Sequence, residues 1–331
     1  MGDGGKLHSP WMIDNNNKEK QRYIIRYERT FPARIASISP IPHPTSRAEG
    51  TSTNSQFIPK VALSMSDRKN WPLALSVGPG AMEPASLDAL SAAGIRQVEL
   101  SSGDIEPFFK TLDFPHRAKE TVKLARAHGV EITSVHMPFA PFEAIDPASF
   151  DPAVRAYVIE KQTLLLRACG EAGIPLAVIH PSGEPYPENE RAARMEAALE
   201  TIGRLCDTAK ENGVTLCLEN LPRTCLCRTS DEMLTFLRQI PALRVVFDTN
   251  HSLTEDNVHY IRAVGEKIVT LHVSDYDFID ERHLLPFEGK NDWPAILAAL
   301  EEVGYQGRFL YELRSGYTYE QVAENYRIVI R

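Results

Sequence analysis

From residue 70 onward, short apolar runs alternate along the chain with longer segments in which apolar residues recur at helical spacing. The short runs are rich in β-branched residues and apolar throughout, which is typical of parallel strands buried on both faces. Eight strands are predicted, at about 72–77, 96–101, 131–137, 175–181, 214–220, 243–249, 268–274 and 308–313. Helices are predicted between and after them, at about 84–93, 115–128, 152–172, 188–212, 229–239, 256–266, 292–303 and 318–330.

Glycines mark where several of these helices end. Five helical segments stop at a glycine that is followed directly by an apolar run, namely Gly94, Gly129, Gly173, Gly213 and Gly304. Glycine suits the left-handed position that closes a helix, because it has no Cβ to clash. Strands and helices alternate strictly and no hairpin pattern appears, which indicates βαβ units. Eight such units in roughly 260 residues predict a (β/α)₈ TIM barrel.

An open, doubly wound sheet is the alternative arrangement of βαβ units. No GxGxxG motif follows the first predicted strand, so the sequence favours the barrel.

Residues 1–68 differ from the rest of the chain. They contain Asn15-Asn16-Asn17, several Pro and Ser residues and almost no sustained periodicity. We expect a disordered or irregular N-terminal extension there and a barrel domain over residues 69–331. An early translation start, with Met65 as the true beginning, is another explanation. A stretch from Arg26 to Arg47 faintly resembles a transit peptide, although Glu28 argues against it.

Composition narrows the classes of protein. The net charge of −8 argues against a broadly cationic surface for nucleic acid. The sequence has no apolar run of eighteen residues and no continuous apolar segment near its start, so neither a membrane span nor a secretory signal is expected. Five cysteines, an odd number, suit free thiols in a reducing compartment. We therefore expect a cytoplasmic location.

Reactive side chains gather where the predicted strands end, which in a TIM barrel is the side that carries the active site. Five histidines fall there, His136, His180, His251, His272 and His283. Four carboxylates do the same, Glu99, Glu219, Asp248 and Glu312. Carboxylates and imidazoles aimed into one mouth need a cation between them. Three carboxylates and one imidazole (Glu219, Asp248, His272, Glu312) make an oxygen-rich site suited to Mn²⁺, Co²⁺, Mg²⁺ or Zn²⁺.

These motifs, taken in order, resemble the xylose isomerase-like TIM barrel superfamily, which contains sugar phosphate isomerases and epimerases, ketose 3-epimerases, inosose dehydratases and the endonuclease IV group. The resemblance covers nearly everything from residue 72 to the end. The matching motifs are SVHMPF at 134–139, VIHPSG at 178–183, LEN at 218–220, FDTNH at 247–251, LHVSD at 271–275, ERHLLPFEGKNDW at 281–293 and YELR at 311–314.

Resemblance to the ketose epimerase branch implies one metal ion held by Glu219, Asp248, His272 and Glu312. It further implies that Glu219 and Glu312 form an acid/base pair and that the reaction passes through an enediolate stabilised by the metal. The substrate would be a small carbohydrate, contacted by His251, His136, His180 and Glu99. Barrels of this kind often pair, so a homo-oligomer is also expected.

Two features depart from the epimerase pattern. Cys225 stands where the epimerases place another glutamate. Side chains that would grip a phosphate are not identifiable, which leaves phosphorylation of the sugar open.

Resemblance to the endonuclease IV branch implies a different function, a zinc phosphodiesterase acting on abasic DNA. Three ions would be held. His136, His180 and Glu219 would bind the first ion, and Glu219, Asp248, His272 and Glu312 the second. His251, Glu281 and His283 would bind the third. DNA binding needs Lys and Arg around the mouth, and the strand-five loop offers only Arg223 and Arg228. Nucleic acid is therefore the less favoured partner. A lyase resembling inosose dehydratase is a further alternative, and the residues do not choose among the sugar reactions.

Overall fold

A computed structural model of the protein describes residues 67–331. The disorder predicted for residues 1–68 therefore falls almost wholly outside the described residues and stays a prediction. Eight parallel strands run through the described part, and we number them in chain order. They are β1 (Leu73–Val77), β2 (Gln97–Ser101), β3 (Glu131–His136), β4 (Leu176–Ile179), β5 (Thr215–Glu219), β6 (Arg244–Asp248), β7 (Ile268–His272) and β8 (Phe309–Tyr311).

Eight α-helices accompany these strands in residues 67–331. They are α1 (Pro84–Ala92), α2 (Phe114–Ala127), α3 (Pro152–Ala172), α4 (Arg191–Glu211), α5 (Ser230–Gln239), α6 (Asn257–Val264), α7 (Trp293–Glu302) and α8 (Tyr319–Val329). Every predicted helix is present, and its observed ends lie close to the predicted ones. The predicted helix 188–212 begins with a short 3₁₀ turn, Glu188–Glu190, before α4.

The strands form one sheet in the order β7-β6-β5-β4-β3-β2-β1-β8. A bridge between Val273 and Tyr311 joins the two outer strands, and the Val273 N–H donates to the Leu310 carbonyl at 2.8 Å. The sheet therefore closes on itself, which confirms the predicted (β/α)₈ barrel. Strands β4 and β8 are shorter than predicted, so His180 and Glu312 follow their strands directly and lie at the mouth.

The helix ends follow the local chemistry of the sequence. Gly94, Gly129, Gly173, Gly213 and Gly304 all have positive φ, between 69° and 87°. These values confirm the predicted glycine stops. Asp292 precedes α7 and accepts a hydrogen bond from the Ala295 N–H, as an N-cap does.

Strand periodicity determines which side chains reach the mouth. Most of the hydrophobic core lies between the outer face of the strands and the helices. Inside the barrel a small apolar cluster consists of Val178, Cys217 and Val246. Side chains two residues apart on a strand share a face. The residues two positions beyond this cluster are His180, Glu219 and Asp248, and they therefore stand above it.

Trp71 anchors the beginning of the barrel to its end. Its side chain is buried, and its Nε1–H donates to the Tyr305 carbonyl at 2.8 Å. The Tyr326 hydroxyl in α8 donates to the Trp71 carbonyl at 2.6 Å. The Trp71 indole also stacks against Phe309, with ring centroids 6.5 Å apart. Trp71 therefore fastens the start of β1 to β8 and to the last helix.

Two further findings concern the predicted environment. All five cysteines are buried and free, as predicted from their odd number. Within residues 67–331, no helix combines the length and the apolar character needed to cross a bilayer.

Candidate metal centre at the barrel mouth

Four side chains from consecutive strands meet at the mouth, Glu219, Asp248, His272 and Glu312. Each offers one ligand atom, and these four atoms lie within 4.8 Å of one another. The Nδ1 atom of His272 is 3.0 Å from Glu219, 3.3 Å from Glu312 and 3.9 Å from Asp248. All four residues are at most 1% exposed. This set is the one predicted from the strand ends.

Two of the three carboxylates in this cluster, Glu312 and Asp248, have buried oxygens without a hydrogen-bond donor among the described residues. Neither oxygen of Glu312 accepts a hydrogen bond from any residue in 67–331, and the same holds for Asp248 Oδ2. An unpaired buried carboxylate oxygen is costly, because it has lost its hydration. A divalent cation would satisfy these oxygens together. The donor set therefore fits a metal ion.

The protons on the neighbouring imidazoles point to the same conclusion. His136 Nδ1 lies 3.1 Å from the Met137 carbonyl, and His251 Nδ1 lies 2.8 Å from the Asn220 carbonyl. A carbonyl only accepts, so Nδ1 carries the proton in both rings. Their Nε2 atoms then face carboxylates, at 3.0 Å from Glu219 for His136 and 3.6 Å from Asp248 for His251. Such contacts require either a second proton on the ring or a cation between the ring and the carboxylate. A histidine that binds a metal ion usually donates a hydrogen bond from its other ring nitrogen, as these two do.

The two glutamates differ in their pKa values. Burial acts to raise the pKa of Glu219, but the imidazoles of His272, His136 and His180 outweigh it and hold that pKa well below its usual range. Burial raises the pKa of Glu312 to about 7, against His272 and with the help of the Glu219 and Asp248 charges. Two carboxyl groups whose environments separate their pKa values are suited to opposite acid and base roles.

Two further clusters adjoin the central one. His136 and His180 approach Glu219 Oε2, at 3.0 and 3.3 Å. Glu281 lies between His251 and His283, at 3.8 and 3.7 Å. The structure therefore brings together all three ligand groups that the sequence suggested. Whether they bind metal stays a prediction.

Glu281 already has a cationic partner. The Arg223 guanidinium lies 2.8 Å from Glu281 Oε1 and 2.9 Å from Asp280. It also forms an ion pair with Glu184 in the loop after β4. Arg223 thus joins three loops at the mouth and supplies a positive charge at the third cluster.

Glu99 lies deeper than the sequence suggested. We counted it among the strand-end carboxylates, but the second strand, predicted at about 96–101 and observed as Gln97–Ser101, runs two residues beyond it. Glu99 therefore sits in mid-strand and is fully buried. It contacts His272 Nε2 at 3.0 Å and accepts a hydrogen bond from Ser134 Oγ at 2.8 Å. Burial acts to raise the pKa of Glu99, yet His272, His136 and Ser134 together lower it. Its surroundings are other side chains of the site, which argues against the predicted contact with substrate.

Sequence reasoning missed two residues that shape the site. Asn220 donates from Nδ2 to the Asp248 carbonyl at 2.9 Å and accepts from the Asp248 N–H at 2.7 Å. Asp275 organises the loop that carries Glu281 and His283. Both belong to the quoted motifs, LEN and LHVSD, but nothing in their spacing distinguishes a supporting residue from a ligand.

Cys225 and Cys227 in the loop after β5 are buried. Burial raises the pKa of both thiols well above the usual range. Neither thiol belongs to a group of candidate metal ligands within residues 67–331, and both are buried core thiols.

Comparison with known proteins places these features in a family. An uncharacterised protein of Methanocaldococcus jannaschii is 28% identical over 58% of this chain and 68% of its own length. The D-psicose 3-epimerase of Ruminiclostridium cellulolyticum is 24% identical over 68% of this chain and 76% of its own. Among solved structures, a D-tagatose 3-epimerase-like protein superposes with a TM-score of 0.64 at 22% identity, covering 77% of this chain and 95% of that one.

The profile of one family spans the barrel. The family described as xylose isomerase-like TIM barrel matches residues 87–329, from α1 to the end of α8. This match takes in the strands that supply the cluster and the loops between them. The chain belongs to the xylose isomerase-like TIM barrel family.

Proposed function

We propose that the protein is a metal-dependent isomerase or epimerase of a sugar or sugar phosphate. The observation that carries the proposal is the buried cluster of three carboxylates and one imidazole, in which Asp248 and Glu312 have oxygens without a hydrogen-bond donor. The ketose 3-epimerases among its relatives support the same class of reaction.

The metal would be held by Glu219, Asp248, His272 and Glu312. A divalent ion bound there would polarise a substrate carbonyl and so acidify the neighbouring C–H. Glu219 is ionised and would take the proton from that carbon, giving an enediolate. Glu312 would return a proton to the neighbouring carbon or to the opposite face. In the reverse direction the two glutamates exchange roles.

Other histidines would hold the substrate. His180 and His251 are slightly exposed at the mouth, whereas His136 and His272 are fully buried. The His180 ring stacks on Phe139, with centroids 4.1 Å apart. This stacking fixes the imidazole at the rim of the central cluster, with Nε2 3.3 Å from Glu219 Oε2.

Metal content and proton exchange test the proposal together. Protein purified without added metal or chelator is expected to contain about one Mn, Co, Mg or Zn per chain. Ketoses and inososes are then incubated in D₂O, and deuterium incorporation beside the carbonyl is followed by NMR. Glu219→Gln should lose both the metal and the exchange. Glu196→Gln, at an exposed position of α4, is the matched control. A metal-loaded protein that exchanges no ketose or inosose proton would contradict the proposal, and loss of water from an inosose would indicate a lyase.

A zinc phosphodiesterase acting on abasic DNA is the second candidate. The two additional clusters, around His180 and around His283, favour it because three ions can clamp both oxygens of a phosphodiester displacement. The ion pair between Arg223 and Glu281 favours the single-metal reading instead. Two results together would establish the second candidate. The protein would contain about three zinc ions per chain, fewer in His283→Ala, and it would cleave a DNA duplex at an abasic site.

A further inference from the structure

Glu99 is a buried carboxylate for which the acid/base chemistry has no use. It projects from the middle of β2 and is 0% exposed. Its two oxygens are both engaged, Oε1 with His272 Nε2 at 3.0 Å and Oε2 with Ser134 Oγ at 2.8 Å. Burying a carboxylate is energetically costly, so a purely space-filling role would be better served by an apolar residue. The position therefore calls for a role that needs a negative oxygen.

That role follows from the two nitrogens of the His272 ring. Nδ1 points at Glu219 and Glu312 of the central cluster. Nε2, on the opposite edge of the ring, points at Glu99 Oε1. An ionised carboxylate only accepts, so Nε2 carries a proton, and Nδ1 is the nitrogen left to bind a cation.

We propose that Glu99 is a positioning residue that fixes the tautomer and the ring orientation of His272 for metal binding. Ser134 in turn holds the Glu99 carboxylate in place. The inference rests on the proposed function only in assuming that the central cluster binds a metal ion.

The other histidines show why a carboxylate matters here. His136, His251 and His283 have Nδ1 beside main-chain carbonyls, those of Met137, Asn220 and Glu312. His272 is the imidazole of the central cluster, and the nitrogen that points away from that cluster contacts a carboxylate instead of a carbonyl. A carboxylate partner makes the opposite nitrogen more basic than a carbonyl does. Loss of such a partner typically weakens metal affinity about 10–100-fold.

Cobalt titration of the full-length protein tests this role without reference to turnover. Co²⁺ binding to the metal-free protein is followed by its visible absorption. Glu99→Leu removes the acceptor, and we expect its Kd to rise about 10–100-fold, with a changed spectrum. Glu99→Gln keeps an oxygen acceptor without the charge and should lie between Glu99→Leu and the wild type. Glu99→Gln also keeps the proposal testable if Glu99→Leu does not fold.

Two further measurements separate the explanations. Ser134→Ala leaves the contact between Glu99 and His272 in place, so its Kd should rise less than that of either Glu99 variant. In the zinc-loaded protein, ¹⁵N NMR should show the proton of His272 on Nε2. The positioning role would be overturned if both Glu99 variants bound Co²⁺ with an affinity within about threefold of the wild type. Loss of such a partner usually has a much larger effect. A wild-type protein that binds no Co²⁺ would instead overturn the metal centre, and the positioning role with it.

Discussion

Asp275 offers the sharpest test of how the mouth is built. Its buried carboxylate accepts hydrogen bonds from four N–H donors, three in the loop between β7 and α7 and one on the first residue of α7. Oδ1 accepts from the main chain of Tyr276 at 2.9 Å and of Asn291 at 3.0 Å. Oδ2 accepts from the Phe287 main chain and from Trp293 Nε1, both at 2.9 Å. One side chain thus fixes the loop that carries two of the candidate ligands.

The magnitude follows from counting the donors. A buried donor that loses its acceptor costs about 1–3 kcal/mol. The Tyr276 and Trp293 donors belong to fully buried residues, whereas Phe287 and Asn291 are partly exposed and water can replace some of their loss. We therefore expect Asp275→Ala to lower the free energy of unfolding by about 3–5 kcal/mol.

Asp275→Asn is the informative variant. An asparagine has one oxygen, so its NH₂ group would face two N–H donors. We expect a loss of about 2–4 kcal/mol, nearly as large as for alanine, although the shape is unchanged. The measurement is the free energy of unfolding from urea denaturation followed by circular dichroism.

The control lies in the same loop. Asp277 accepts hydrogen bonds from the Ile279 and Asp280 main chains and from Arg282, but these bonds are exposed. Asp277→Asn should therefore be far less destabilising than Asp275→Asn. An Asp275→Asn protein within about 1 kcal/mol of the wild type would refute the idea that unsatisfied donors dominate at this site.

Three further variants test neighbouring features. Gly289→Ala would place a Cβ 2.4 Å from Asp275 Oδ1 and 2.5 Å from the Tyr276 carbonyl. We therefore expect a lower melting temperature and weaker Co²⁺ binding. Unchanged values of both would show that the loop can shift. Trp71→Ala should cost about 3–5 kcal/mol in urea unfolding, and a loss below about 1 kcal/mol would contradict the anchoring role of the indole. Arg223→Gln removes the cation beside Glu281. Because Glu281 would then lack a positive partner, elemental analysis is expected to find more than one metal ion per chain. An unchanged metal content would mean that Arg223 does not exclude a metal ion.

The sequence was sufficient to predict the barrel and the convergence of the central cluster. Strand ends of a parallel barrel meet at one mouth, so Glu219, Asp248, His272 and Glu312 had to approach one another once their strands were recognised. The positions of the glycine stops were equally predictable, because φ depends on local sterics.

The depth of Glu99 and the partner of Arg223 were not predictable in this way. Glu99 lies beside a register shift between β2 and β3, at Val98 and Glu99, and a strand's own pattern does not encode its pairing. Arg223 contacts Glu184 and Glu281 across two other loops, in a left-handed backbone conformation with φ of 50°. Loop conformations of this kind depend on tertiary contacts, which periodicity does not describe.

The pairing of β1 with β8 has a consequence for the order in which the protein is made. Leu73 pairs with Phe309, and Trp71 bonds to Tyr305, contacts between residues more than 230 positions apart. The central cluster draws its members from β5 to β8, and Glu99 and Ser134 support it from β2 and β3. A nascent chain on the ribosome therefore lacks the complete set of candidate ligands until its last strand emerges. The site and the closure of the barrel should appear in a single late step of folding.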